Sequence, residues 1–102
     1  MAARIFKLTD RHEVAVPTVG TIFEGELTLD PKGLATLARA SLARLEVGAD
    51  EHFGVIVSGF TPAVLAVLVA AEGRCRAIDF MHFDRETGQY VNQTVFTACL
   101  HG

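Results

Sequence analysis

The chain of 102 residues has no tryptophan, one tyrosine, two cysteines and three prolines. Its cysteines, Cys75 and Cys99, lie in separate segments without a CxxC pair. That pattern excludes a disulfide-stapled scaffold and a cysteine-rich zinc module, and leaves two buried free thiols as the expectation. Positive charge is not in excess either: nine Lys and Arg face twelve Asp and Glu, for a formal charge of −3. Proteins that grip duplex nucleic acid through its phosphates carry a basic face, so no duplex DNA partner is expected. A small anion in a local pocket stays open, because backbone N–H groups hold anions without net positive charge. Long apolar runs are also missing. The stretch Pro62–Ala71 is well short of the roughly 20 residues a membrane-spanning helix needs. The opening segment MAARIFKLTDRHEV has no apolar core of signal-peptide length. No membrane partner and a cytoplasmic setting are therefore expected.

What the chain does have is apolar mass. Half of it is hydrophobic and 21% charged, enough for one domain over 1–102 with a real core. A fold this small buries only a moderate share of its surface alone, so self-association would help it.

The pattern alternates between strand and helix. ARIFKLT (3–9) is a short strand and DRHE (10–13) a turn. VGTIFEGELTL (19–29) alternates with Val19, Thr21, Phe23, Leu27 and Leu29 on one face, which predicts an antiparallel strand with one wet side. Asp30-Pro31 gives an N-cap acceptor followed by proline. Leu34, Leu37, Ala38, Leu42 and Leu45 then form a helical stripe, with Gly48 as the stop. FGVIVSG (53–59) is a buried strand. Thr61-Pro62 opens a second helix, apolar nearly all round, which runs to about Glu72 and stops at Gly73. RCRAIDFMHF (74–83) and YVNQTVFTACL (90–100) are the last strands, joined by a turn in which Gly88 takes positive φ. The order is ββαβαββ: a single layered α/β domain with a mixed sheet and a central parallel βαβ unit.

Two stretches carry chemistry. In VIVSGFTP (55–62) a strand ends in Ser58-Gly59 and feeds a capped helix. The helix dipole and free N–H groups favour a negative group there, beyond the carboxyl end of a parallel strand. Gly59 would admit close backbone approach, and Ser58 and Thr61 offer hydroxyls. An ordinary capped core helix has the same signature. The stretch is not a P-loop, lacking Gly-Lys-Ser/Thr, nor a nucleophile elbow, with Ile56 where the first glycine belongs. The second stretch runs from Arg74 to Glu86 and includes Arg76, Asp79, His82, Asp84 and Arg85. In a regular strand His82 and Asp84 share a face, placed for acid–base chemistry or a divalent metal. A strand end with solvated charges accounts for the same residues. His12, His52 and His101 are expected at the surface.

The combined layout resembles the compact CRISPR-associated proteins of type III systems of the third Csx type. These are relatives of the CARF ligand-binding domains and are ring nucleases or RNA exonucleases. VIVSGFTP matches their Ser-Gly-x-x-Pro at Ser58, Gly59 and Pro62. FDRETGQYV matches the Asp and Gly of a second motif at Asp84 and Gly88, and FEGELTLDPKGLATL fits the hairpin-to-helix passage. The resemblance implies a CARF-like, Rossmann-like sheet and a role in antiviral defence. It implies a homodimer or higher homo-oligomer that binds cyclic oligoadenylate or short RNA, and cleavage of the ring by a phosphodiesterase reaction with Mn²⁺ as the metal to test. It assigns catalysis to Asp84, with His82 as a substitute partner, and ligand binding to Ser58, Gly59, Phe60, Thr61 and Arg85. Phe60 and Thr61 stand where the family has Arg and Gly, and Arg85 where it has Pro. The family's catalytic His has no counterpart in AAEGRCR. A sensor or sponge without turnover and a structural self-associating protein are the alternatives.

Overall fold

The computed structural model describes residues 4–10, 16–25, 30–57 and 61–97. Seven elements follow in the order expected: β1 (Arg4–Thr9), β2 (Thr21–Phe23), α1 (Pro31–Arg44), β3 (His52–Ile56), α2 (Thr61–Ala71), β4 (Ala77–Asp84) and β5 (Gln89–Phe96). They form a five-stranded mixed sheet ordered β2-β1-β3-β4-β5 with two helices. β1, β2, β3 and β4 run parallel, and β5 runs antiparallel to β4. The β3-α2-β4 passage is the central parallel unit the pattern calls for.

β2 departs from expectation. It is three residues long and parallel to β1, with Lys7 opposite Thr21 and Thr9 opposite Phe23. Period-two alternation specifies which side chains share a face, not the direction of the neighbouring strand. The stretch 10–20 is long enough to carry the chain back for parallel pairing. Both Ile22 and Phe23 are buried, so β2 has no wet side. Two side chains of α1 hold it: buried Ser41 donates to the Ile22 carbonyl at 2.5 Å, and Arg44 donates to the Thr21 carbonyl at 3.0 Å. Leu27 and Leu29 lie outside the described residues.

The core sits between the sheet and both helices. Phe6 and Leu8 of β1, Phe53 and Val55 of β3, and Ile78 and Phe80 of β4 meet Leu34, Ala38 and Leu42 of α1 and Ala63, Ala66, Val67 and Ala70 of α2. Register puts those strand residues on one face, since Phe6 lies opposite Val55 and Val55 opposite Phe80. Both helices therefore cover the same side. The buried alanines of α2 present little bulk, so the helix can lie close to the β-branched and aromatic strand residues. Its outer residues Leu65 and Val69 are exposed, so it is packed on one face only.

Helix ends also differ in detail. Asp30 is extended and its carbonyl accepts the first helical N–H from Leu34, but its side chain makes no cap bond. Pro31 at the first helical position supplies the start. α1 ends at Arg44 rather than near Gly48, because Glu46 adopts a left-handed φ of 57°. Gly88 takes positive φ as the pattern predicts, and Gly73, the expected stop of α2, follows the helix with positive φ as well. β4 begins at Ala77 rather than Arg74, after a turn that lets Arg76 donate to the Glu51 carbonyl. β3 ends at Ile56.

Within the α1 stripe, Leu34, Ala38 and Leu42 are fully buried, whereas Leu37 is 52% exposed. Ser41 takes the inward place expected of an apolar residue, because its hydroxyl reaches a carbonyl of β2. Accordingly, Leu42→Ala should cost about 2–5 kcal/mol, while Leu37→Ala should stay within about 0.5 kcal/mol of the parent. Denaturant melts of both variants check the assignment of faces.

Candidate functional site

The four parallel strands end at one edge, and both helices start there because each follows a strand. β1 leads outward to β2, whereas β3 leads through α2 to β4 on the other side. The two connections thus diverge between β1 and β3, the arrangement that leaves ligand crevices at the carboxyl edge of open α/β sheets. Of the residues assigned to ligand binding, Ser58, Gly59 and Phe60 lie outside the described residues. Thr61 is exposed at the first position of α2, and Arg85 is exposed in the turn after β4.

His82 and Asp84 extend past the end of β3, whose last residue Ile56 lies opposite Met81. Strand alternation puts both on one face, as expected, and that face is the helix side. They are engaged separately. His82 Nε2 lies 3.0 Å from Gln93 Oε1 across the β4–β5 ladder. Asp84 Oδ1 accepts the N–H of Glu86 at 2.9 Å, folding an Asx turn that fixes the start of the 85–88 reversal. Phe83, on the opposite face, packs edge-on against Tyr90 at 5.4 Å between ring centres. A carboxylate and an imidazole are therefore available at this edge on separate supports.

The His–carboxylate pair the structure does form is His52 with Asp79. His52, expected at the surface, is half-buried and sits 2.8 Å from Asp79 Oδ1 through Nε2. Thr94 donates its hydroxyl to the same oxygen at 2.6 Å. One carboxylate thus ties β3, β4 and β5 on the face away from the helices. Gly54 lies directly opposite Asp79, and having no side chain it leaves room for the His52 ring to reach over from two residues away. Burial pushes the Asp79 carboxyl up, but the Thr94 and His52 hydrogen bonds outweigh it and hold it below its ordinary value. In a nucleophilic triad the imidazole lies between hydroxyl and carboxylate. Here the carboxylate lies between them, so His52 cannot take a proton from Thr94, and the cluster acts as a clamp. The missed signal was the pairing register of β3 with β4, which single-strand patterns do not carry.

A second knot lies at the amino edge. Arg4 grips Glu51 through two nitrogens at 2.5 and 2.6 Å and donates to the carbonyls of Leu45 and Glu46 at the end of α1. The Arg4 hydrogen bond is the main cause that holds the Glu51 carboxyl below its usual range, against a smaller upward push from burial. Cys75 is a buried free thiol, as expected, and burial pushes it upward, away from reactive thiolate. Cys99, His12 and His101 lie outside the described residues.

An open groove of about 300 Å³ runs between β2 and α1, lined by Phe23, Leu37 and Arg44 among others. Its cation is already bonded to Thr21 and to Glu24 at 3.2 Å. Among the described residues no group of three or more His, Cys, Asp or Glu is gathered for a metal ion. No helix among them is long and apolar enough to cross a membrane. Comparison of the chain with protein-family models, with curated proteins and with solved structures finds no match.

Both depressed carboxylates act on stability in the same sense. Their folded values lie below the ordinary 3.8 and 4.5, so the unfolded chain binds protons first as pH falls. Their contribution is complete above the unfolded values and fades as pH drops through the folded ones. Chemical denaturation between pH 6 and about pH 2 should show this acid limb flattened in Asp79→Asn. That variant should also lose about 1–3 kcal/mol at neutral pH.

Proposed function

We propose that the protein binds cyclic oligoadenylate at the carboxyl edge of the sheet and opens the ring. The observation that carries this reading is the position of His82 and Asp84. They stand on the helix side of β4, past the end of β3, at the edge from which α2 starts. Two helix N-termini at one edge favour phosphate over a cation. The resemblance at Ser58, Gly59, Pro62, Asp84 and Gly88 supplies the ligand class, and Thr61 and Arg85 are the exposed described residues that would meet it.

In this reading Asp84 accepts the proton of the attacking hydroxyl as the new P–O bond forms. His82 returns a proton to the leaving oxygen as the ring P–O bond breaks, and a linear oligoadenylate is released. Mn²⁺ would supply charge neutralisation at the phosphate. A second reading, a sensor or sponge that binds without turnover, is favoured by the separate engagement of the two groups: Asp84 already accepts from Glu86, and His82 already meets Gln93.

Purified protein mixed with cyclic tetra-adenylate, with and without Mn²⁺, should retain the ligand and yield linear products on chromatography. Asp84→Ala should lower the rate about 100-fold or more while binding and the circular dichroism spectrum persist. Binding without product in the parent protein selects the sensor. Absence of binding to both the ring and short RNA overturns both readings.

A further inference from the structure

β5 ends the sheet, and among the described residues it pairs only with β4. Its sequence QYVNQTVF is eight residues long, with neither proline nor charge, and most of it is exposed. Natural edge strands are kept from pairing with other chains by charge, proline, bulges or brevity. β5 has none of the first two and is long.

The direction of its main-chain groups follows from the neighbouring ladders. Val57 donates to the Met81 carbonyl, so Met81 and the alternate residues Asp79 and Ala77 turn their N–H and C=O toward β3. Ile78, Phe80 and His82 turn theirs toward β5, where they lie opposite Val95, Gln93 and Val91. The Thr97 N–H bond to the Arg76 carbonyl continues the same alternation. Tyr90, Asn92, Thr94 and Phe96 are left with N–H and C=O pointing away from the sheet.

We propose that β5 pairs antiparallel with β5 of a second copy of this chain, about a two-fold axis through Gln93. This register places Tyr90 opposite Phe96 of the second copy and Asn92 opposite Thr94 of the second copy. All four outward residues then lie in pairs that exchange two hydrogen bonds each. A two-residue shift would leave the outward main-chain groups of Phe96 or of Tyr90, according to its direction, facing beyond the ends of β5. A one-residue shift would pair side chains on opposite faces.

The side chains agree with the main chain. On one face Tyr90, already edge-on to Phe83, meets a second aromatic ring in Phe96, which is 54% exposed. On the other face Val91, 56% exposed, meets Val95. Such aromatic and β-branched cross-strand pairs stabilise antiparallel ladders. Gln93 faces itself on the axis, and the neutral strand brings no like charges together. The interface is isologous, and it joins two five-stranded sheets into one. It rests on the main chain of the edge strand rather than on the ligand reading, although the Gln93 side chain also meets His82.

Residues facing each other at a non-hydrogen-bonded antiparallel site have Cα atoms about 4.5 Å apart, within disulfide reach. In a Cys99→Ser background, Gln93→Cys should oxidise to a covalent dimer of about twice the 11.0 kDa chain. Gln89→Cys, about 27 Å from its copy by strand rise, should not. Sedimentation equilibrium should give a dimer for the parent protein and a monomer for Gln93→Lys, with circular dichroism confirming that the variant folds. A monomeric parent at 100 µM overturns the proposal, including the case in which the edge serves a different partner. So do equal cross-linking at 89 and 93 and a dimer that survives Gln93→Lys.

Discussion

Parallel pairing is the constraint from which the rest of this structure follows. Parallel strands cannot be joined by a tight turn; the chain reaches β2 from β1 by the 10–20 stretch, crosses back over β1 to β3 through α1, and reaches β4 through α2. Both crossovers fall on one side, and the two helices are thereby brought against each other as well as against the sheet. The core chemistry obeys that geometry. Strand residues on the helix side are Phe, Val, Leu and Ile, while α2 contributes alanine. The other side of the sheet holds Gly54, Asp79 and Thr94, and there a hydrogen-bonded carboxylate joins β3, β4 and β5 on the face away from the helices.

The same constraint divides the molecule end from end. At the amino edge Arg4, Glu51 and the last carbonyls of α1 form a closed set of charge-assisted bonds. Arg4 also lies over the Phe6 ring at 5.2 Å, so its stem and charge are both used. At the carboxyl edge the polar groups are more lightly held: Asp84 secures only its own turn, and His82 reaches one neighbouring side chain. Rigid bonding at one edge and accessible chemistry at the other suit a scaffold that presents a site without bending to form it.

Element identity and order were legible because helices and strands differ in period, and because Asp30-Pro31, Thr61-Pro62, Gly73 and Gly88 punctuate the chain with residues of distinct backbone chemistry. Direction was not legible for β2, since alternation is identical in parallel and antiparallel pairs. Neither was the inward Ser41, whose burial depends on a carbonyl 19 residues away in β2. At the candidate site, the shared face of His82 and Asp84 followed from strand period alone. The Asp79 clamp did not, because its members come from three strands and only their register brings them together.

The placement of β1 has a bearing on how the chain is made. It is the earliest of the strands, yet it lies inside the sheet between β2 and β3. During synthesis Phe6 and Leu8 emerge well before His52–Ile56, and the Arg4 partner Glu51 follows 47 residues later. A nascent chain halted after α1 therefore carries a strand bearing Ile5, Phe6 and Leu8 with one of its two edges still open. Contacts of such separation form slowly, and exposed strand edges attract chaperones or other nascent chains meanwhile. Pairing with β3 is the event that closes this edge.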